Sequence, residues 1–198
     1  MRVAIIGTGR MGRGFAAALA PGHEVTIGSR DPARAAKLAS ATGAARGASY
    51  AEAAADAEVV ILAVPWEAME ETLAQLGELR GTVVVDVSFP ARRQQREALK
   101  GSSTAEQVQK RRPHARVVKG WNHVHAPHLT APEVGGIAAS VLLAGDDPEA
   151  KRAVSTLAAD MGFHPVDVGP LKATRQLEQL VGTMLFVRLG PFRVLSPD

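Results

Sequence analysis

Residues 5–12 read IIGTGRMG, three glycines in G-x-G-x-x-G spacing that close an apolar run and open a segment of helix formers. With 19 glycines in 198 residues the spacing alone is a weak signal, and its position supplies the meaning. Residues 2–6 are apolar enough for a buried strand, and FAAALA has helical composition until Pro21-Gly22 breaks it. In a strand–turn–helix unit, Gly7 makes the tight turn, Gly9 lets a ligand approach bare backbone, and Gly12 lets helix pack on strand. The helix N-terminus then offers free N–H donors and a partial positive charge to a diphosphate. This pattern predicts a dinucleotide-binding site.

The rest of the chain repeats the alternation. Strands are expected at residues 23–27, in AEVVILAV, TVVVDVSF, ARVVKGW and SVLLAG, and in the short FHPVDVG. Helices are expected from Asp31-Pro32 to Leu38, from Glu67 to Leu79, through the basic stretch after residue 92, from Asp147-Pro148 to Met161, and from Lys172 to Leu189. The fold class that follows is α/β, a Rossmann-type doubly wound, mostly parallel sheet with helices on both faces. Residues 1–122 read as the nucleotide-binding core. Residues 123–198 read as an extension of the same sheet with a final helix, forming the side that meets a second substrate.

The end of the second strand refines the nucleotide. An NAD site places an Asp or Glu there to bond the adenosine ribose hydroxyls. This chain has Ser29-Arg30, with Arg34 one helical turn later. A hydroxyl and two guanidiniums suit a 2′-phosphate, which predicts NADP(H). Asp31, placed before Pro32, reads as a helix cap.

Composition narrows the remaining classes. The absence of cysteine excludes disulfides, thiolate metal sites and thiol catalysis, and fits a reducing compartment. The first apolar run breaks at Gly7, too early for a signal peptide, and no apolar stretch approaches a membrane span. A cytoplasmic protein is expected, with no nucleic-acid or membrane partner. The net charge is +3, yet residues 92–119 carry nine Lys/Arg against Glu97 and Glu106, a local +7. Such a field could attract an anionic ligand or could be a solvated helix.

The segments RVAIIGTGRMGRGFA, HEVTIGSR, VVILAVPWE, RVVKGWN, LLAGDDPEAK, GFHPVDVGPL and TRQLEQL run from one end of the chain to the other. Together the sequence resembles the NADP oxidoreductases that work with the deazaflavin coenzyme F420, and related bacterial dinucleotide-binding enzymes. The resemblance implies that Thr8, Gly9, Arg10 and Met11 hold the diphosphate and that Ser29, Arg30 and Arg34 hold the 2′-phosphate. It implies further that Val64, Pro65 and Trp66 line the nicotinamide half. GWNHVHAPHL departs from the AFNT of many bacterial relatives, in the region that should border the second substrate.

The activity so implied is hydride exchange between NADP(H) and coenzyme F420 or a flavin-like acceptor. The protein then supplies mainly alignment, worth ~7–11 kcal/mol for well-oriented reactants, and the basic segment would receive the acceptor's anionic tail. An NADPH-dependent reductase of a small imine or carbonyl compound would need a proton donor, for which His123, His125 and His128 are candidates, with Asn122 as a hydrogen-bond donor. A non-catalytic NADP(H) sensor is the third reading. The H-x-H-x-x-H triplet superficially resembles a metal ligand set, but no acidic partner stands nearby and no metal is expected. Trp66 and Trp121 could stack on a ring or pack as core. Arg175 and Glu178 read as an intrahelical pair, and the apolar residues 180–189, with Met184 and Phe186, predict a homodimer face.

Overall fold

A computed structural model describes residues 1–99 and 101–187 together with Phe192 and Val194. Its frame is an eight-stranded sheet in the order β10-β9-β6-β5-β4-β1-β2-β3. The first half contains β1 (Arg2–Ile6), α1 (Arg10–Leu19), β2 (Glu24–Gly28), α2 (Pro32–Thr42), β3 (Arg46–Ala48), α3 (Tyr50–Ala54), β4 (Val59–Leu62) and α4 (Met69–Gln75). The second half contains β5 (Val83–Asp86), α5 (Arg93–Ala98), α6 (Thr104–Arg111), β6 (Arg116–Lys119), the hairpin β7 (Glu133–Val134) and β8 (Ile137–Ala138), then β9 (Ser140–Gly145), α7 (Pro148–Asp160), β10 (His164–Asp167) and α8 (Thr174–Val187). All pairings in the large sheet are parallel except β6 with β9.

The central strands β4, β5 and β9 are buried at every position, as a sheet covered on both faces requires. One core cluster packs β1 and β2 against Phe15 and Leu19 of α1, Leu38 of α2 and Val154 and Leu157 of α7. The opposite cluster joins Ile6, Leu62 and Val84 to Tyr50 of α3, Leu73 of α4 and Val108 of α6. Helices therefore lie on both faces. Leu177 of α8 covers Leu142 and Ala144 at the far edge.

Local signals explain most boundaries. Asp31 accepts from Ala33 and Arg34 N–H groups, Pro32 begins α2, and Gly43 ends it at φ +75°. Helix α2 runs to Thr42, four residues past the expected stop. Asp147 caps α7 through the Ala150 N–H. The basic stretch forms two helices and not one, because Gly101 takes φ +79° and Ser103 starts α6 with a capping box to Glu106. Strand β3, helix α3 and the β7–β8 hairpin are additions to the expected elements. The expected last helix begins at Thr174, after a 3-10 turn at Leu171–Ala173, and its far end at Leu189 lies outside the described residues.

The glycine turn is sterically obligatory. Gly7 has φ +121°, and a Cβ there would sit 2.5 Å from the Ala63 carbonyl oxygen. At Gly12 a Cβ would stand 1.9 Å from the Gly7 carbonyl oxygen, backbone against backbone. Gly12→Ala should therefore cost about 3 kcal/mol in urea unfolding, whereas Gly22→Ala, with open space around it, should stay within ~0.5 kcal/mol. Equal stabilities of the two variants would refute the close packing.

Candidate active site

The C-terminal ends of β2, β1 and β4 open a cleft of about 360 Å3. Here the chain connections reverse direction, from β1 toward β2 on one side and toward β4 and β5 on the other, the position where open α/β sheets bind ligands. Gly7, Thr8 and Gly9 form its floor, Ser29, Arg30 and Arg34 one wall, and Val64 and Pro65 the other. Gly9 starts α1 with no side-chain cap and no acid in the first turn, and a Cβ on it would meet nothing within 4 Å. That combination fits a diphosphate at the helix N-terminus.

The second wall element fits a 2′-phosphate. Ser29 is buried and its Oγ accepts from the Asp31 N–H at 3.1 Å, so its hydroxyl hydrogen is left to donate. Arg30 and Arg34 are exposed at the rim, Arg30 3.7 Å from Glu71. Asp31 also lines the cleft, but its carboxylate is committed to the N-terminus of α2.

Other expected site residues fall elsewhere. Arg10 is exposed at the first position of α1, Met11 is half-buried against the core, and Gly12 lies beneath the turn. Trp66 opens on a neighbouring cavity of about 290 Å3, shared with Glu70, Gln107 and Arg111. Tyr50 and Ala68 also line the cleft. The Ser49-Glu52 capping box that starts Tyr50's helix was the available signal for it.

A second cavity, about 180 Å3, lies above β5 and β6. Asn122, His123 and His125 border it with Phe89, Val181 and Met184. The chain reaches it by a turn in which Trp121 adopts φ +52°, unusual for a bulky residue. Trp121 itself is fully buried, edge-on to Phe15 at 5.4 Å and Phe163 at 6.5 Å, so it is core and not a stacking platform. His123 is buried, and desolvation outweighs its bond to the Ser140 carbonyl and holds its pKa below the ordinary 6.5. His125 is exposed at the mouth and His128 is half-buried in a 3-10 turn. Among the described residues no three His, Asp or Glu side chains converge to hold a metal.

Beneath this cavity the expected pair Arg175–Glu178 gives way to longer-range partners. Arg175 makes a bidentate contact to Glu106 at 2.7 and 2.8 Å. Glu178 turns inward to Lys119 at 3.1 Å, and Lys119 also reaches Asp86 at 2.8 Å. Burial pushes the Asp86 carboxyl up, but the Lys119 charge and bonds from Lys119, Ser88 and Thr104 override it and hold it below the usual carboxylate range. The basic stretch is likewise not one field. Lys119 is fully buried, Arg112 is tied to the Leu73 and Gly77 carbonyls, and Arg116 is bonded to the Gly81 carbonyl. Arg111 is half-exposed near Glu70, while Lys100 and the side chains of Arg93 and Arg96 lie outside the described residues.

Comparison with known proteins agrees with this geometry. Residues 2–90 match the family model described as NADP oxidoreductase, coenzyme F420-dependent. The F420-dependent NADP reductase of Methanothermobacter marburgensis is 32% identical over 96% of this chain and 92% of its own. The chain belongs to the F420-dependent NADP oxidoreductase family. A solved structure of a putative F420-dependent NADP reductase from Arthrobacter superposes with TM-score 0.85 at 29% identity, covering 99% of this chain and 100% of that one. The metalloreductase STEAP3 of Rattus norvegicus is 35% identical over 90% of this chain, which spans only 36% of that longer protein. No helix among the described residues is long and apolar enough to cross a membrane.

In this family member the Lys119 cluster is what anchors α8 beside the second cavity. Lys119→Met would leave Asp86 and Glu178 buried without a cation, at a cost of about 3–5 kcal/mol. Urea unfolding of the variant checks this, and an unchanged midpoint would show the cluster to be energetically neutral.

Proposed function

We propose that the protein is an NADP(H)-dependent oxidoreductase that moves a hydride between NADP(H) and a deazaflavin of the coenzyme F420 type. The observation that carries the reading is the 360 Å3 cleft, in which the glycine turn and the Ser29, Arg30 and Arg34 wall meet with no uncommitted carboxylate. NADPH, when bound, supplies a hydride from nicotinamide C4.

The chain's own residues bind and align. Gly7 and Gly9 with the first turn of α1, including Arg10 and Met11, take the diphosphate. Ser29 donates its hydroxyl to the 2′-phosphate, and Arg30 and Arg34 neutralise it. Val64 and Pro65 of the cleft wall, with Trp66 next in the chain, take the nicotinamide half, and the Asn122 cavity takes the acceptor ring between Phe89 and Met184. Hydride transfer between two rings needs no dedicated acid. His123 is buried with Nε2 3.2 Å from the Ser140 carbonyl oxygen, so the exposed His125 at the mouth is the candidate proton donor on the second reading, reduction of a small imine or carbonyl compound. The reading extends to a cytoplasmic homodimer, supported by the missing cysteines and by the exposed apolar Leu180 on α8 and Ile137 on the hairpin.

Mixing the protein with NADPH and oxidised deazaflavin should bleach the acceptor's visible absorbance. Retained NADPH binding without bleaching would reduce the protein to a nucleotide sensor or point to another acceptor. The Arg30→Ala/Arg34→Ala double variant should bind NADPH about 10–100-fold more weakly by calorimetry while its NADH affinity stays within about threefold. An equal loss for both nucleotides would place the arginines outside the phosphate site.

A further inference from the structure

Helix α1 contains two glycines, and the nucleotide turn accounts for only one of them. Gly12 packs on Gly7. Gly14 is buried in the helix interior, where glycine is less favourable than alanine because its backbone loses more freedom on folding. Its use is steric. A Cβ there would stand 2.7 Å from Leu129 Cδ1, 3.1 Å from Leu129 Cβ and 3.2 Å from the Ala126 carbonyl oxygen, so the 3-10 turn Ala126–Leu129 rests directly on the helix backbone. Leu129 has no exposed surface and is packed in the core, so it cannot swing aside.

The next residue of α1 holds the other end of the same loop. Phe15 meets Trp121 edge-on at 5.4 Å, and both rings are fully buried. Residues 121 and 129 are thus seated on consecutive positions of one helix. Between them the loop is braced by its own backbone, with the Val124 N–H donating to the Trp121 carbonyl at 3.0 Å and the His128 N–H to the His125 carbonyl at 2.9 Å. Asn122, His123, Val124 and His125 of this loop line the second cavity. The N-terminus of α1, about one and a half turns before Gly14, is the end that fits a diphosphate.

We propose that Gly14 is a positioning residue: by carrying no side chain it lets loop 121–129 seat on the helix that takes the diphosphate, so that α1 fixes the acceptor ring and the nicotinamide relative to each other. Its role in alignment rests on reading the Asn122 cavity as the acceptor site. The seating of the loop does not. A shared platform matters because hydride transfer depends steeply on how the two reacting carbons are placed, and a displacement of ~1 Å can cost about 100-fold in rate.

Two measurements separate these layers. Gly14→Ala raises helix propensity, which by itself would raise the urea midpoint. The seating of the loop predicts the reverse, a fall of about 0.5 M, and a midpoint at or above that of the wild type would overturn it. In single-turnover mixing of saturating NADPH with saturating oxidised coenzyme F420, the variant should lose the acceptor's absorbance about 10–100-fold more slowly, while its NADPH Kd by calorimetry stays within about threefold of wild type. An unchanged rate constant, or an equal loss in NADPH affinity, would overturn the positioning role. Leu129→Val removes Cδ1, the atom nearest the new methyl group. Added to Gly14→Ala, it should recover about threefold of the lost rate, whereas two independent defects would compound and so rule out the contact. If Gly14→Ala does not fold, Leu129→Val alone, which leaves a gap under the turn in place of a clash, should show the same split with a loss of about threefold in rate constant, and no loss there would overturn the role. If wild-type protein reduces no coenzyme F420, the functional reading falls and the alignment role with it, while the urea midpoint still decides the seating of the loop.

Discussion

A fully buried ammonium organises the second half of this molecule. Lys119 ends β6 with no exposed side-chain surface, where an isolated charge would cost several kcal/mol. It is tolerable because Asp86, Glu178, Thr104 and the Ser88 carbonyl all turn toward it. Those four groups come from the end of β5 and the loop after it, the start of α6 and the second turn of α8. Satisfying one charge therefore fixes three elements against β6. Val181 and Met184, one and nearly two helical turns beyond Glu178, are thereby held over the Asn122 cavity.

The first half obeys a steric constraint instead. Gly7 lets the turn after β1 approach Ala63 at the end of β4, and Gly12 lets α1 approach that turn, more closely than any side chain permits, which leaves the N-terminus of α1 open at the bottom of the cleft. One end of the sheet is built by removing side-chain atoms and the other by gathering polar ones. The cleft and the Asn122 cavity both lie toward the C-terminal ends of the strands. That placement suits a transfer in which alignment supplies most of the rate.

The contrast explains what could be read in advance. Glycine spacing and the Asp31 and Asp147 caps act within a few residues of themselves, and each was legible. Strand β3 was missed because three residues, Arg46–Ala48, carry no usable periodicity. The basic stretch looked like one field because charges were counted without their partners. Arg112, Arg116 and Lys119 each serve backbone or buried groups over 30 residues away. Arg175 and Glu178, three apart on one helix, looked like a pair. Lys119 drew Glu178 inward, and Glu106 offered Arg175 a bidentate contact that the intrahelical geometry could not match.

The amino-acid order alone was enough to read the doubly wound sheet and to expect NADP(H), since those readings follow from short-range backbone freedom and nearby charge. Whether Trp121 was a stacking platform or core, which acid paired with which base, and how loop 121–129 seats on α1 waited on the folded chain. Those outcomes depend on burial, and burial is a property of residues distant in sequence that meet only when the sheet is assembled.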